Sequence, residues 1–208
     1  PRAAFGTVEP DTMRRLAALE GSGFAGVVAN NLAQFGYASP LPVFGGLGLN
    51  VTNPMSAAEY VCLGARGLLV QPETALTAMR AVAPRQKDGT PVPTAALCYG
   101  HLPLMLTRAC PLRNVRDCTS CHGGGTLRDR KGRDFTVTCS APGGAGVRTV
   151  FNPVPLYMGE RLREMPVDVA VAAFTTETPA RTAQILELLL NGQPFDSEFT
   201  SGLYYTNN

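Results

Sequence analysis

At 208 residues, with 45% hydrophobic and 16% charged side chains, the chain has room for one large domain or two small ones, and its composition excludes a disordered one. No run reaches the roughly 18 consecutive apolar residues of a membrane-spanning helix, so no membrane partner is expected. Net charge is only +2, so any anionic partner has to be met by a local patch.

Glycine (22) and proline (17) are both frequent and predict many turns and short elements. The first 30 residues carry Glu9, Asp11, Arg14, Arg15 and Glu20, so no signal peptide is visible and a cytoplasmic location is expected. The chain starts at Pro1 without a methionine, which reads as a fragment or a processed product.

The first 100 residues alternate strand and helix signals. A helix opening at Asp11 is expected to stop at Gly21. A short buried strand follows over 26–29, then a helical turn or two over 31–37, then a glycine-loosened strand over 43–49. Ser56 with Glu59 three residues on has the form of a capping box, for a helix ending near Gly64. A strand over 67–70, a helix over 74–82 stopped by Pro84, and a strand over 92–99 come next. Strands this short, each followed by a helix, predict a parallel sheet with helices outside.

Polar residues recur where strands end: Asn30 and Asn31, Asn50 and Asn53, Gln71 and Glu73, Tyr99 and His101. In a (β/α) barrel that edge carries the chemistry. Each asparagine taken singly reads as well as a turn or a helix cap.

Residues 101–155 break the pattern with β segments over 126–128, 134–138 and 147–151 and a hairpin turn at Lys131-Gly132. A helix over 156–164, a strand over 167–174 and an apolar helix over 180–190 follow. The tail over 195–205 is irregular and aromatic. The count predicts an α/β chain: the C-terminal half of a (β/α) TIM-type barrel with a cysteine-rich β-hairpin insertion before its last strand. Residues 1–100 form a partial barrel, 101–155 a metal-binding insertion, and 156–208 the last strand, helix and tail. Such a half barrel leaves open edges, so it should pair with the missing N-terminal half or with itself as a homodimer.

The insertion holds Cys110, Cys118, Cys121 and Cys139, spaced C-x7-C-x2-C-x17-C among glycine, arginine and turn residues. Four thiolates converging on one point make a tetrahedral sulfur site for zinc or an iron–sulfur cluster. Cys62 and Cys98 lie in apolar segments and read as buried small hydrophobes. Disulfides are the alternative; the uneven clustering and the lack of a signal peptide argue against them. His122 follows Cys121 and reads either as a substitute ligand or as an exposed loop residue.

The same stretch is basic. Between 108 and 148 stand eight cations (Arg108, Arg113, Arg116, Arg128, Arg130, Lys131, Arg133, Arg148) and three acids (Asp117, Asp129, Asp134). An anionic partner such as RNA suits that charge, and a solvated loop surface is the plain alternative. Asp129, Arg130 and Lys131 could grip a phosphate or carboxylate, or could be only a charged hairpin tip.

Several runs resemble a known family. YGHLPLM at 99–105 with CP at 110–111 is similar to the YGRLPLM…CP block of the collagenase-like peptidase family. LRDRKG at 127–132 with FTV at 135–137 resembles its LxDRKGxxFPV, and NPVPL at 152–156 its NSxPL. GLN at 48–50 with Asn53, QPE at 71–73 and EFTSG at 198–202 resemble its LNxxN, SPE and FTRGxF runs. His101 stands for the usual arginine and Gln71 for the usual serine; in some branches the first cluster ligand falls at the position of Pro103.

The resemblance implies a (β/α) barrel whose amino-terminal half is absent here. It also implies oxygen-independent hydroxylation of RNA bases or ubiquinone precursors, with a [4Fe–4S] cluster in some members. Here the cluster would fall on Cys110, Cys118, Cys121 and Cys139; zinc on the same four would be structural, because four thiolates close its shell. Other members were named as collagenases, but this chain has no H-E-x-x-H, no G-x-S-x-G and no evident triad. The expectations are therefore an iron–sulfur enzyme that hydroxylates an RNA base, a collagenase-like peptidase, or a structural-zinc binding module. Catalytic candidates are His101, Asn50 and Glu73; substrate-binding candidates are Arg130, Lys131 and Asn53.

Overall fold

The structure is a computed structural model that describes residues 8–37, 41–115, 117–140 and 146–206. Its helices are α1 (Val8–Ala17), α2 (Pro54–Cys62), α3 (Leu76–Met79) and α4 (Pro179–Leu190), with 3-10 segments at Leu32–Gly36, Leu47–Leu49, Cys118–Ser120 and Gly159–Glu164. The strands are β1 (Val27–Ala29), β2 (Val43–Gly45), β3 (Ala65–Leu69), β4 (Thr94–Gly100), β5 (Pro103–Thr107), β6 (Gly124–Arg128), β7 (Asp134–Cys139), β8 (Arg148–Phe151), β9 (Leu156–Tyr157) and β10 (Val169–Ala173).

Five strands pair in parallel in the order β1-β2-β3-β4-β10. Spatial order follows chain order without reversal. A doubly wound sheet reverses at its middle, whereas a barrel wall adds every strand on the same side. The fold is therefore mixed α/β, with a parallel sheet compatible with part of a barrel. The short β9 lies antiparallel on the end of β4, pairing Tyr99 with Tyr157 and Gly100 with Leu156.

The core is built from Val51, Leu68, Val70, Leu97 and Tyr99 on the sheet side, and Ala57, Met79, Ile185 and Leu189 from the helices. Each fully buried aliphatic side chain contributes about 1.5–3 kcal/mol. Tyr204 from the tail is also buried, and its hydroxyl donates to the Leu97 carbonyl at 2.8 Å. That bond pins the irregular tail to β4.

Several local expectations need correction. The cap of α2 is Asn53, whose side chain accepts from the Ser56 backbone N–H at 2.9 Å; Ser56 sits inside the helix instead of opening it. Pro54 at the first helical position fixes that start, since its missing N–H needs no partner there. The strand expected over 43–49 ends at Gly45, because Leu47–Leu49 coils into a 3-10 turn. The helix expected over 156–164 is strand β9 followed by the 3-10 segment Gly159–Glu164: Tyr157 and Leu156 are captured by the end of β4. Cys62 is exposed in the last turn of α2, while Cys98 is buried as expected. Strand β5 was not anticipated from sequence.

Between β4 and β10 the chain forms a second, antiparallel sheet in the order β5-β8-β7-β6. Val137 and Val150 bury its centre together with Leu112 from the loop after β5. The turn at Lys131-Gly132 closes the β6–β7 hairpin, with Gly132 at φ 78°. Arg133 ties this hairpin to the tail through Glu198 at 2.7 Å.

Candidate functional site

Because the five strands are parallel, their carboxyl ends share one edge. Asn30 follows β1, Asn50 follows the turn after β2, Gln71 and Glu73 follow β3, His101 follows β4, and Glu177 follows β10. The recurrence of polar residues at strand ends thus becomes a single rim. Asn30 serves the backbone there, accepting from the Gly48 N–H at 3.2 Å. A Cβ on Gly48 would collide with the Asn30 carbonyl, so only glycine fits.

The tightest arrangement on the rim joins Tyr99, His101 and Glu177. The Glu177 side chain is only 5% exposed. Its Oε1 accepts from the Tyr99 hydroxyl at 2.7 Å, and its Oε2 accepts from the backbone N–H groups of Thr175 at 2.7 Å and Thr176 at 2.9 Å. Burial pushes this carboxyl up, but the Tyr99 hydroxyl and the backbone donors outweigh it and hold Glu177 below the usual carboxylate range. The Tyr99 phenol is pushed up by burial first, then by its bond to the Glu177 carboxylate, so it stays a proton donor.

His101 Nδ1 lies 2.7 Å from the Asn152 carbonyl oxygen. A carbonyl only accepts, so Nδ1 carries the hydrogen and the neutral ring has its lone pair on Nε2. Nε2 stands 3.8 Å from Glu177 Oε1. A proton arriving at Nε2 therefore finds a carboxylate counter-charge already in place. Asn152 directly follows β8 of the antiparallel sheet, so the segment between β4 and β10 sets the tautomer of a histidine at the end of β4.

Aromatic rings wall this cluster. Phe174 packs on Tyr99 with ring centres 5.2 Å apart, and Phe195 of the tail contacts both Tyr99 and Tyr157. They keep water from the Tyr99–Glu177 bond, which strengthens it.

Beside this cluster runs a groove of about 680 Å3. Asn50, Gln71 and Glu73 line it together with Leu104 and Met105 of β5. Two sequence candidates, Asn50 and Glu73, therefore share a cavity; His101 is not part of its lining but directly precedes Leu102, which is.

The remaining candidates fall elsewhere. Asn53 is the cap of α2, with its side-chain oxygen committed to Ser56. Arg130 and Lys131 are exposed at the tip of the β6–β7 hairpin. The basic stretch is thinner than its composition implies. Arg128 pairs with Asp134 and Arg133 with Glu198, and Arg148 is buried with Nη1 donating to the carbonyls of Arg108 and Gly146. Arg116 lies outside the described residues.

Cys139 ends β7, and Cys110, Cys118 and Cys121 lie in the segment between β5 and β6. Thr107, Arg148 and Cys139 form one row across β5, β8 and β7, and the Cys139 N–H continues it to the Gly123 carbonyl at 2.6 Å. Cys110 lies three residues past one end of that row, and Cys121 two residues before the other. Cys118 and Cys121 bracket a 3-10 turn capped by Asp117. Arg148 Nε is buried and has no hydrogen-bond partner among the described residues, while its Nη1 is held by the Arg108 and Gly146 carbonyls, so one N–H of this buried guanidinium is left for an acceptor. The thiols themselves do not assemble a metal centre: among the described residues no group of three or more Cys, His, Asp or Glu side chains is placed to hold a metal ion. His122 is exposed in the adjoining loop. The described residues contain no disulfide.

Glu177 was not singled out from sequence. A carboxylate four residues past the apolar strand β10, just before the Thr178 cap of the next helix, is a strand-end signal that the run TTETP at 175–179 does carry. No helix among the described residues is long and apolar enough to cross a membrane. Compared with family models, curated proteins and solved structures, the chain gives no match to any of them.

Proposed function

We propose that this chain is part of a TIM-type barrel enzyme of the collagenase-like peptidase family that hydroxylates an RNA base, with His101 and Glu177 as its proton-handling pair. One observation carries the catalytic part: a histidine with a defined Nε2 lone pair facing a buried, ionised carboxylate at the carboxyl ends of β4 and β10. His101 takes or returns a proton at Nε2, Glu177 balances the resulting charge, and Tyr99 holds Glu177 in place. The exposed Arg130, Lys131 and Arg113 supply phosphate contacts.

The family resemblance assigns a [4Fe–4S] cluster, or zinc, to Cys110, Cys118, Cys121 and Cys139. Cys139 at the end of β7 and the three cysteines before β6 would hold it, and their present spacing would have to close to do so. Strands β1 and β10 end the parallel sheet and are where a further barrel segment, or a second copy, would pair.

Peptide hydrolysis finds less support. Burial pushes the Cys98 thiol up to about 11, the reverse of what a thiolate nucleophile needs. The test is nucleoside mass spectrometry of RNA from cells lacking the full-length protein. A hydroxylated base that disappears, returns with the wild-type gene and stays absent with Glu177→Gln supports the reading. Unchanged RNA together with gelatin hydrolysis by the pure protein overturns it in favour of a peptidase.

A further inference from the structure

The side-chain amides of Asn50 and Gln71 are locked to each other, and one backbone carbonyl fixes the orientation of both. Gln71 Nε2 lies 3.3 Å from the Leu47 carbonyl oxygen and 2.6 Å from Asn50 Oδ1. The Leu47 carbonyl only accepts, so the Gln71 atom facing it is the amino group. That amino group also faces Asn50, which must therefore present its oxygen. What remains is the amino group of Asn50, a donor, beside the carbonyl oxygen of Gln71, an acceptor. The Glu73 carboxylate adds further acceptors on the same wall of the groove.

Asn50 is held for this role by its backbone. At φ 53° and ψ 48° it is the only residue other than glycine with a left-handed conformation among the described residues. Asparagine tolerates that region better than most residues, and such conformations concentrate at functional positions. In the same groove, Leu104 is 55% exposed and Met105 49% exposed. These are apolar, flexible surfaces against which a flat ring can lie.

We infer that this groove is a reader of an unpaired nucleobase: the ring lies against Leu104 and Met105, and its hydrogen-bonding edge meets Asn50, Gln71 and Glu73. A base edge presents N–H donors next to carbonyl or ring-nitrogen acceptors, and this wall offers the complement of both. The inference rests on the RNA-modifying reading above and names the part of the substrate that the groove selects.

The test is binding of labelled rA6, rC6 and rU6 to the full chain by fluorescence anisotropy at several salt concentrations. Asn50→Asp replaces the donor with an acceptor, and Glu73→Gln does the converse at nearly constant shape. Each is expected to change the ratio of affinities among the three hexamers by about tenfold, the scale of one base contact, and to leave the salt slope as in the wild type. Asn50→Gly, which keeps the left-handed backbone, should flatten the preference and guards against a folding artefact of the aspartate. Unchanged ratios in all three variants, with Arg130→Ala and Lys131→Ala weakening every hexamer alike, overturn the groove as base reader and leave RNA as the substrate. No RNA binding, with a collagen-like peptide bound in a groove-dependent way, overturns both readings.

Discussion

Tyr99 and Glu177 come from the carboxyl ends of the neighbouring strands β4 and β10, and the phenol donates to the carboxylate at 2.7 Å inside a ring of aromatic side chains. The pair couples the sheet to the loop that opens α4. Tyr99→Phe removes the side-chain donor to Oε1 and leaves that buried carboxylate oxygen facing the His101 Nε2 lone pair at 3.8 Å. The expected cost is about 1–3 kcal/mol, the penalty of an unsatisfied buried acceptor, read as a lowered urea midpoint at neutral pH.

The same pair sets an acid sensitivity. Glu177 is held below the usual carboxylate range in the folded chain, so as pH falls the unfolded chain takes up its proton first. The stabilisation is complete above the ordinary glutamate value and is lost as pH drops through it toward the folded value. Glu177→Gln should flatten this acid limb in urea titrations run from about pH 7 to about pH 3. Asp88, Asp134, Asp196 and Glu198 are also lowered and will keep part of the slope, so the test is the difference between the two chains.

For His101 the tautomer is directly observable. Nitrogen-15 shifts of the neutral ring should report hydrogen on Nδ1 and a lone pair on Nε2, as the bond to the Asn152 carbonyl requires. His101→Gln keeps a donor near that carbonyl but cannot carry a proton at the other end. Loss of about 10²–10⁴ in RNA-base turnover with RNA affinity retained is the expected result. An equal loss in binding and turnover would assign His101 to substrate contact.

Local polarity and period made the parallel half of this fold legible. The apolar run ending at Ala29, the strand into Gly100 and helix α4 all fall within two residues of expectation, because each carries its own punctuation in asparagine, glycine or proline. Pairing was not legible. Nothing in Pro103–Thr107 marks a strand until Arg148–Phe151 lies beside it, and Leu156–Tyr157 has a helix-like surrounding that the open end of β4 overrides. Within the site, His101, Asn50 and Glu73 could be named from their place at strand ends. Glu177 emerges only when β10 docks on β4 across 68 intervening residues and brings it to Tyr99, 78 positions earlier in the chain. The four cysteines stand out in the sequence by their spacing, but among the described residues no three ligating side chains are placed to hold a metal ion.

Asn50 and Asn53 stand three residues apart, and sequence alone gives them equal claim to function; the structure assigns them different work. Asn53 accepts from the Ser56 N–H and from nothing in the groove, so Asn53→Ala should cost about 1 kcal/mol of stability, the usual loss of a helix cap, and leave RNA-base selectivity untouched. Ser56→Ala removes only a hydroxyl that donates to the Asn53 carbonyl on an exposed surface, and its effect on thermal midpoint should be the smaller of the two. Asn50→Gly behaves oppositely: glycine adopts the left-handed backbone freely, so the fold is kept while the amide pair with Gln71 is broken. Melting curves and hexamer binding run on the three variants separate the roles. A selectivity change in Asn53→Ala, or a stability loss in Asn50→Gly larger than that in Asn53→Ala, would reverse the assignment.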